Sequence, residues 1–189
     1  MIHDNPLLGP EWDALAEALA LVMARTKKND TFCITTYGRR YNLSPSTSPY
    51  FQGFRDEPGE LFIEAAANLI CNPPLTDEEF AMMEFLSWDK PDIDPDEYKD
   101  RARSEDVIDR PNFERRFNDS VDPKDIAEFI LQTMVVVYGL TEDDFFNFGN
   151  ETTSNEVDAL GKLGRLKYSD GNPWRQIFAM PGKHLGMLK

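Results

Sequence analysis

Pro73 and Pro74 split the apolar stretch from Leu61 to Trp88 into two pieces that must be built differently. Proline has no N–H and constrains the residue before it, so no helix or ladder runs through this corner. Upstream lies LFIEAAANLIC, Leu61 to Cys71. Its LFIE portion favours a strand, whereas EAAANLI favours a helix on propensity alone. Taken together they predict a strand from Glu60 to about Ala66, then a short extended approach to the prolines. Downstream, Thr76 and Glu79 have the T-x-x-E spacing of a capping box, with Asp77, Glu78 and Glu79 at the positive end of the helix they open. That helix carries Phe80, Met83, Phe85, Leu86 and Trp88. Neither piece can bury its apolar side alone, so the rest of the chain must close over both.

The flanking segments supply the cover. From Glu11 to Lys27, Trp12, Leu15, Ala16, Leu19, Val22 and Met23 recur at spacings of three and four, the mark of a core-facing helix. Thr31 to Tyr37, TFCITTY, reads as a strand, with Gly38 as a turn and Arg40 to Ser44 as the returning strand. SPSTSP is a loop by composition, and Tyr50 to Arg55 reads as a third strand in which Gly53 marks a bulge. Asn112 to Phe117, NFERRF, reads as the last strand. Asp122-Pro123 is a cap followed by a first-turn proline, opening a helix that Gly139 ends. Two apolar stripes, one through Ile126, Phe129, Ile130, Thr133 and Val137 and one through Leu131, Met134, Val135 and Tyr138, bury that helix on more than one side.

Two stretches are of different material. Residues 89–110 are dense in charge and read as an acidic surface insertion, with a short helix near Glu97 to Arg103. Asp92, Asp94 and Asp96 begin a calcium-loop spacing, but Glu97 stands where glycine is needed and Arg103 where the bidentate glutamate is needed. Beyond Leu140, TEDDFFNFGN reads as a strand or an interaction segment, and Asn155 to Lys167 as a short helix. From Gly161 onward six Lys/Arg stand against one Asp, a net of +5, which leaves −19 of the chain's −14 total for the residues before it. A basic tail on an acidic body is expected to fold back on that body or on a second copy.

The chemistry of the chain is sparse. Cys33 and Cys71 lie in apolar runs without metal or redox spacing and read as reduced, buried thiols. His3 and His184 are the only histidines, one near each end, which argues against a histidine-based metal site or nucleophile pair. GKLGRLK lacks the preceding strand and Lys-Ser/Thr of a phosphate loop. A net charge of −14 repels nucleic acid and anionic lipid, so neither is expected as a partner. The N-terminus shows no basic region followed by an apolar run, and no apolar run reaches membrane-spanning length; a cytoplasmic protein is expected. No cofactor is expected.

The order helix, antiparallel strands, helix, strand, helix resembles the α+β fold of type III secretion chaperones and YbjN proteins, and within these the bacterial group called TY-Chap. The resemblance is carried by Trp12 to Leu21, by Arg40-Tyr41-Asn42-Leu43 and Tyr50 to Phe54, and by Glu64-Ala65-Ala66-Ala67-Asn68. It continues through Pro74-Leu75-Thr76-Asp77-Glu78-Glu79, Leu86-Ser87-Trp88, Pro91, Asn112 to Phe117 and Val137-Tyr138-Gly139-Leu140. It covers about Glu11 to Leu140; the stretch from Asp92 to Arg110 is long for the group and the tail lies outside it. The resemblance implies a non-enzymatic, chaperone-like module that binds a protein or peptide client. The related secretion chaperones are commonly dimers, which leaves a homodimer open. It supplies no catalytic residues.

The expected architecture is therefore an antiparallel sheet flanked by helices over residues 1–140, with a C-terminal extension over 141–189 packed on the domain or on a partner. Helices on one face of such a sheet leave the other face or an edge for a client. Tyr50, Phe51, Phe54, Phe113 and Phe117 are the expected contact residues. Two other readings stay open: self-association controlled by the basic tail, and an enzyme with a carboxylate-based site.

Overall fold

The segment before the prolines is a strand and the segment after them a helix in the computed structural model, which describes residues 12–27, 31–37, 39–41, 47–55, 60–68, 70–92, 110–141, 145–150, 166–168 and 175–178. Strand β3 (Glu60–Ala65) buries Leu61, Ile63 and Ala65 and turns Glu60, Phe62 and Glu64 the other way. Helix α2 (Asp77–Phe85) opens on the capping box: Glu79 N donates to Thr76 Oγ1 at 3.3 Å, and Thr76 N donates to Glu79 Oε2 at 2.9 Å. It closes on a Schellman turn, with Trp88 N donating to Met83 O and Ser87 N to Glu84 O. Ser87 takes the left-handed position there, at φ 66°, where glycine is usual. The approach to the corner is a turn rather than extended chain. Ile70 N and Cys71 N both donate to Ala67 O, and Leu75 N donates to Asn68 Oδ1 at 2.8 Å. The Asn68 side chain gives the backbone a local partner that an extended path would forgo.

Helix α1 is Asp13–Arg25, and strands β1 (Thr31–Tyr37), β2 (Tyr50–Phe54) and β4 (Phe113–Asn118) complete the first half of the sheet. Helix α3 (Pro123–Val136) starts with Asp122 accepting from Lys124 N at 2.9 Å and Pro123 in the first turn. Gly139, at φ 63°, then returns the chain so that Leu140 N donates to Met134 O. Strands β5 (Phe145–Asn150), β6 (Leu166–Tyr168) and β7 (Arg175–Phe178) follow. All seven strands join one antiparallel sheet in the order β4-β3-β2-β1-β5-β7-β6. The sheet thus continues past Leu140 through β5, which lies directly beside β1. Leu166 and Lys167, expected at the end of a helix, are in β6; the rest of that expected helix lies outside the described residues, as do both histidines and the expected helix near Glu97. The insertion is tied at its base: Arg110 Nε donates to Asp92 Oδ2 at 2.9 Å, and Asp89 bridges to Glu114. Asp92 is thus held by a guanidinium; Asp94 and Asp96 lie outside the described residues.

Two further sequence expectations fail for identifiable reasons. The returning strand expected over Arg40 to Ser44 is, at Arg39–Tyr41, a single 3₁₀ turn; Leu43 and Ser44 lie outside the described residues. Tyr41 turns into the core, its hydroxyl donating to Tyr138 O at 3.5 Å, while Arg40 makes a bidentate ion pair with Glu79. Gly53 marks no bulge, for β2 pairs in regular register on both sides. Instead the ring of its cross-strand partner Phe32 fills the place of a side chain: a Cβ on Gly53 would lie 2.0 Å from Phe32 Cε1.

The core lies between one face of the sheet and the helices. Phe51 meets Tyr138 edge-on at 5.6 Å and Trp88 at 6.0 Å, and Phe113 meets Phe80 of α2 at 4.7 Å. Trp88 also packs on Phe129 of α3, whose helix lies against α1. The Tyr138 hydroxyl donates to Ala66 O at 2.6 Å, pinning the end of α3 to the end of β3.

Candidate functional site

Alternation along each strand decides which side chains face away from the helices. The burial pattern puts Phe32, Ile34 and Thr36 of β1, Phe51 and Gly53 of β2, and Leu61, Ile63 and Ala65 of β3 on the helix side. The opposite side chains, half-buried apart from the exposed Arg116, form by register three rows across the sheet. Thr31, Phe54, Phe62 and Arg116 make one; Cys33, Gln52, Glu64 and Glu114 the next; Thr35 and Tyr50 the third. The buried apolar residues of the described helices pack on the other side, so among the described residues this is the open face.

Aromatic and acidic groups dominate it. Phe54 and Phe62 are cross-strand partners, and Arg116 lays its guanidinium over the Phe62 ring at 5.0 Å while pairing with Glu60 at 3.3 Å. Tyr50 is held by Asn112, whose Nδ2 donates to the phenol oxygen at 2.9 Å; burial first, then Glu64, raise that phenol above its ordinary range. Asn112 in turn accepts from Ala67 N, fixing its own orientation. Glu64 and Glu114 are direct cross-strand partners. Burial, and then the charge of Glu114, hold the Glu64 carboxyl above the usual carboxylate range. Glu114 is also raised, by burial and by Asp92 and Asp89, against the opposing pull of Arg110 and Arg116. Like charges opposed in this way destabilise a sheet unless something outside neutralises them.

The five aromatics expected at a contact surface are not brought together. Tyr50 and Phe54 stand on the open face, but Phe51 and Phe113 are fully buried in the core against Trp88, Tyr138 and Phe80. Phe117 shares the helix side, edge-on to Phe129 at 5.5 Å with Arg115 over its ring. The reason is strand parity: neighbours such as Tyr50 and Phe51 must point to opposite faces. Sequence reasoning missed Phe62, Glu64 and Glu114, although the alternation in Glu60–Ala65 separates Phe62 and Glu64 from the core residues between them.

Other candidate chemistry is weaker. Burial raises the Cys33 thiol and pushes that of Cys71 up to about 12, so neither is a ready nucleophile. Both are free. A shallow cleft of about 370 Å³ lies between the end of α1 and the start of α3, lined by Met23, Thr26, Arg55, Leu61, Asp119 and Ile126. Arg55 is engaged there, donating to Thr26 O at 3.0 Å and to Asp119 Oδ1 at 2.5 Å. Glu64 and Glu114 do not line this cleft, so the perturbed carboxylates and the cavity are separate features. Among the described residues no group of His, Cys, Asp and Glu is placed to hold a metal, and no helix is long and apolar enough to cross a membrane.

Comparison with known proteins gives one result. The family model described as T3SS (YopN, CesT) and YbjN peptide-binding chaperone 3 matches residues 6–152, a span that runs from before α1 to the end of β5. No curated protein and no solved structure matches the chain.

Proposed function

Because the chain belongs to the TY-Chap3 family of T3SS (YopN, CesT) and YbjN peptide-binding chaperones, we propose that it binds an extended client segment on the open face of its sheet. The observation that carries this reading is the segregation of the helices: the buried apolar residues of α1, α2 and α3 lie on one side, and the other side presents Tyr50, Phe54 and Phe62 half-exposed in the two rows that flank Gln52 and Glu64. Aromatics on a sheet face offer large, rigid contact area at low entropic cost. The family description names binding rather than a reaction, and the pair of raised carboxylates found among the described residues, Glu64 and Glu114, faces outward from a sheet instead of into a cleft. A link to secretion rests on the family description alone. The two free thiols suit a reducing compartment, and we place the protein in the cytoplasm on that ground.

The test is equilibrium binding of a set of unstructured peptides to the full chain and to its Phe54→Ser and Phe62→Ser variants. Both positions are half-exposed, so the variants should fold. Removing either ring should weaken binding by about tenfold, the scale of losing a well-packed aromatic anchor. Equal binding by the wild type and both variants would rule this face out.

A further inference from the structure

Glu64 lies in the middle row of the open face, between Gln52 and Glu114. Among the described residues no side-chain donor bonds it and no cation pairs with it. The guanidinium groups nearest its row are committed elsewhere: Arg116 to Glu60 and the Phe62 ring, Arg110 to Asp92. Its cross-strand neighbours are Gln52 on one side and a second carboxylate, Glu114, on the other. Phe62 lies two residues away on the same strand and face; Phe54 and Tyr50 flank Gln52 on the strand beside it. A half-buried carboxylate without a counter-charge is costly, and here apolar surface borders it in both directions along the strands.

We propose that the client segment is basic at one defined position: it sets a lysine or arginine over Glu64 and Glu114, with apolar side chains two residues to either side. The inference rests on the reading that this face binds the client. Alternate side chains of an extended chain are about 6.6 Å apart, the same as the step from Phe62 to Glu64 along β3. A client lying along the strands therefore presents apolar, basic and apolar groups in turn to the Phe54–Phe62 row, the carboxylate row and the Tyr50 row. The cation removes the like-charge opposition, and its stem lies along the aromatic edges.

The experiment uses labelled peptides Ser-Leu-Ser-Xaa-Ser-Phe-Ser with Xaa as lysine, arginine, norleucine or glutamate, titrated against the full chain by fluorescence anisotropy. Lysine and arginine peptides should bind about five- to tenfold tighter than norleucine, with glutamate weakest. In Glu64→Gln the lysine–norleucine gap should close to within about twofold, while the norleucine peptide binds as before or better. Equal binding of lysine and norleucine peptides that is still lost in Phe62→Ser would overturn the charge inference and leave the binding face standing. Binding that ignores Phe62→Ser, or no binding by any peptide, would overturn both.

Discussion

The indole nitrogen of Trp88 donates to Thr133 Oγ1 at 3.1 Å, and that hydroxyl donates onward to Phe129 O at 2.9 Å. Trp88 follows the Schellman turn of α2 and Thr133 sits on α3, so one buried chain of hydrogen bonds fastens the corner helix to the closing helix. Both residues lie on the helix side of the sheet, and this fastening helps keep that side closed. Thr133→Val keeps the shape but leaves the indole N–H unsatisfied in the core. It should lower stability by about 1–3 kcal/mol in urea unfolding. A loss near zero would mean that the bond is not formed.

Gly53→Ala should be destabilising although it adds one methyl group to a strand, where alanine is normally better than glycine. The added Cβ would meet the Phe32 ring at 2.0 Å, and Phe32 is 1% exposed in a packed core. Overpacking of this kind costs about 1–3 kcal/mol. The double variant with Phe32→Leu should recover part of the loss, which a thermal unfolding series can measure.

Ser87→Gly should act in the opposite direction. Ser87 holds φ 66° at the end of α2, a conformation that costs a side-chain-bearing residue about 1 kcal/mol. Glycine removes that cost, and a small rise in unfolding midpoint is expected, reduced by the greater freedom glycine gives the unfolded chain.

The charged pairs respond to pH with opposite signs. Folding raises the Glu64 pKa through burial and then Glu114, so its ionised form destabilises the fold. That cost is fully present above the folded pKa and disappears below the unfolded one. Glu64→Gln should therefore be more stable than wild type at about pH 7, and the gap should shrink towards about pH 4. Glu79 behaves conversely. Burial pushes its carboxyl up, but hydrogen bonds from Arg40 and Thr76 outweigh this and lower it. Its contribution is present above the unfolded pKa and is lost as pH falls through the folded pKa, so the cost of Glu79→Ala should shrink in acid.

A chain ending at Leu140 would strip β5 from β1 and leave that strand as an open edge from Phe32 to Tyr37. Open apolar edges pair with other chains. Sedimentation should show the shortened chain self-associating at concentrations where the full chain does not; equal masses for both across salt would argue that the added strands are dispensable.

Much of this fold is legible in the sequence because local chemistry and tertiary demand agree. Thr76, Glu79, Asp122 and Pro123 cap helices where capping residues should, and the alternation in Glu60–Ala65 gives both the strand and its buried face. Two of the failures share a cause, which is a long-range partner that no local pattern records. Tyr41 leaves its expected strand for Tyr138, ninety-seven residues away in sequence, and Gly53 is glycine because of a ring across the sheet. At the site, aromatic content alone put Phe51 and Phe113 on the surface; strand parity, applied to the same residues, puts them in the core and brings Phe62 and Glu64 out.

The central claim is that clients meet the open face of the sheet rather than the helices. A photo-crosslinking residue placed at Phe62, at Glu17 on α1, or at Phe85, which is 81% exposed on α2, tests it directly with a bound lysine-containing peptide. Labelling at Phe62 and not at Glu17 or Phe85 is the result expected here; labelling at Phe85 or Glu17 with none at Phe62 would contradict it.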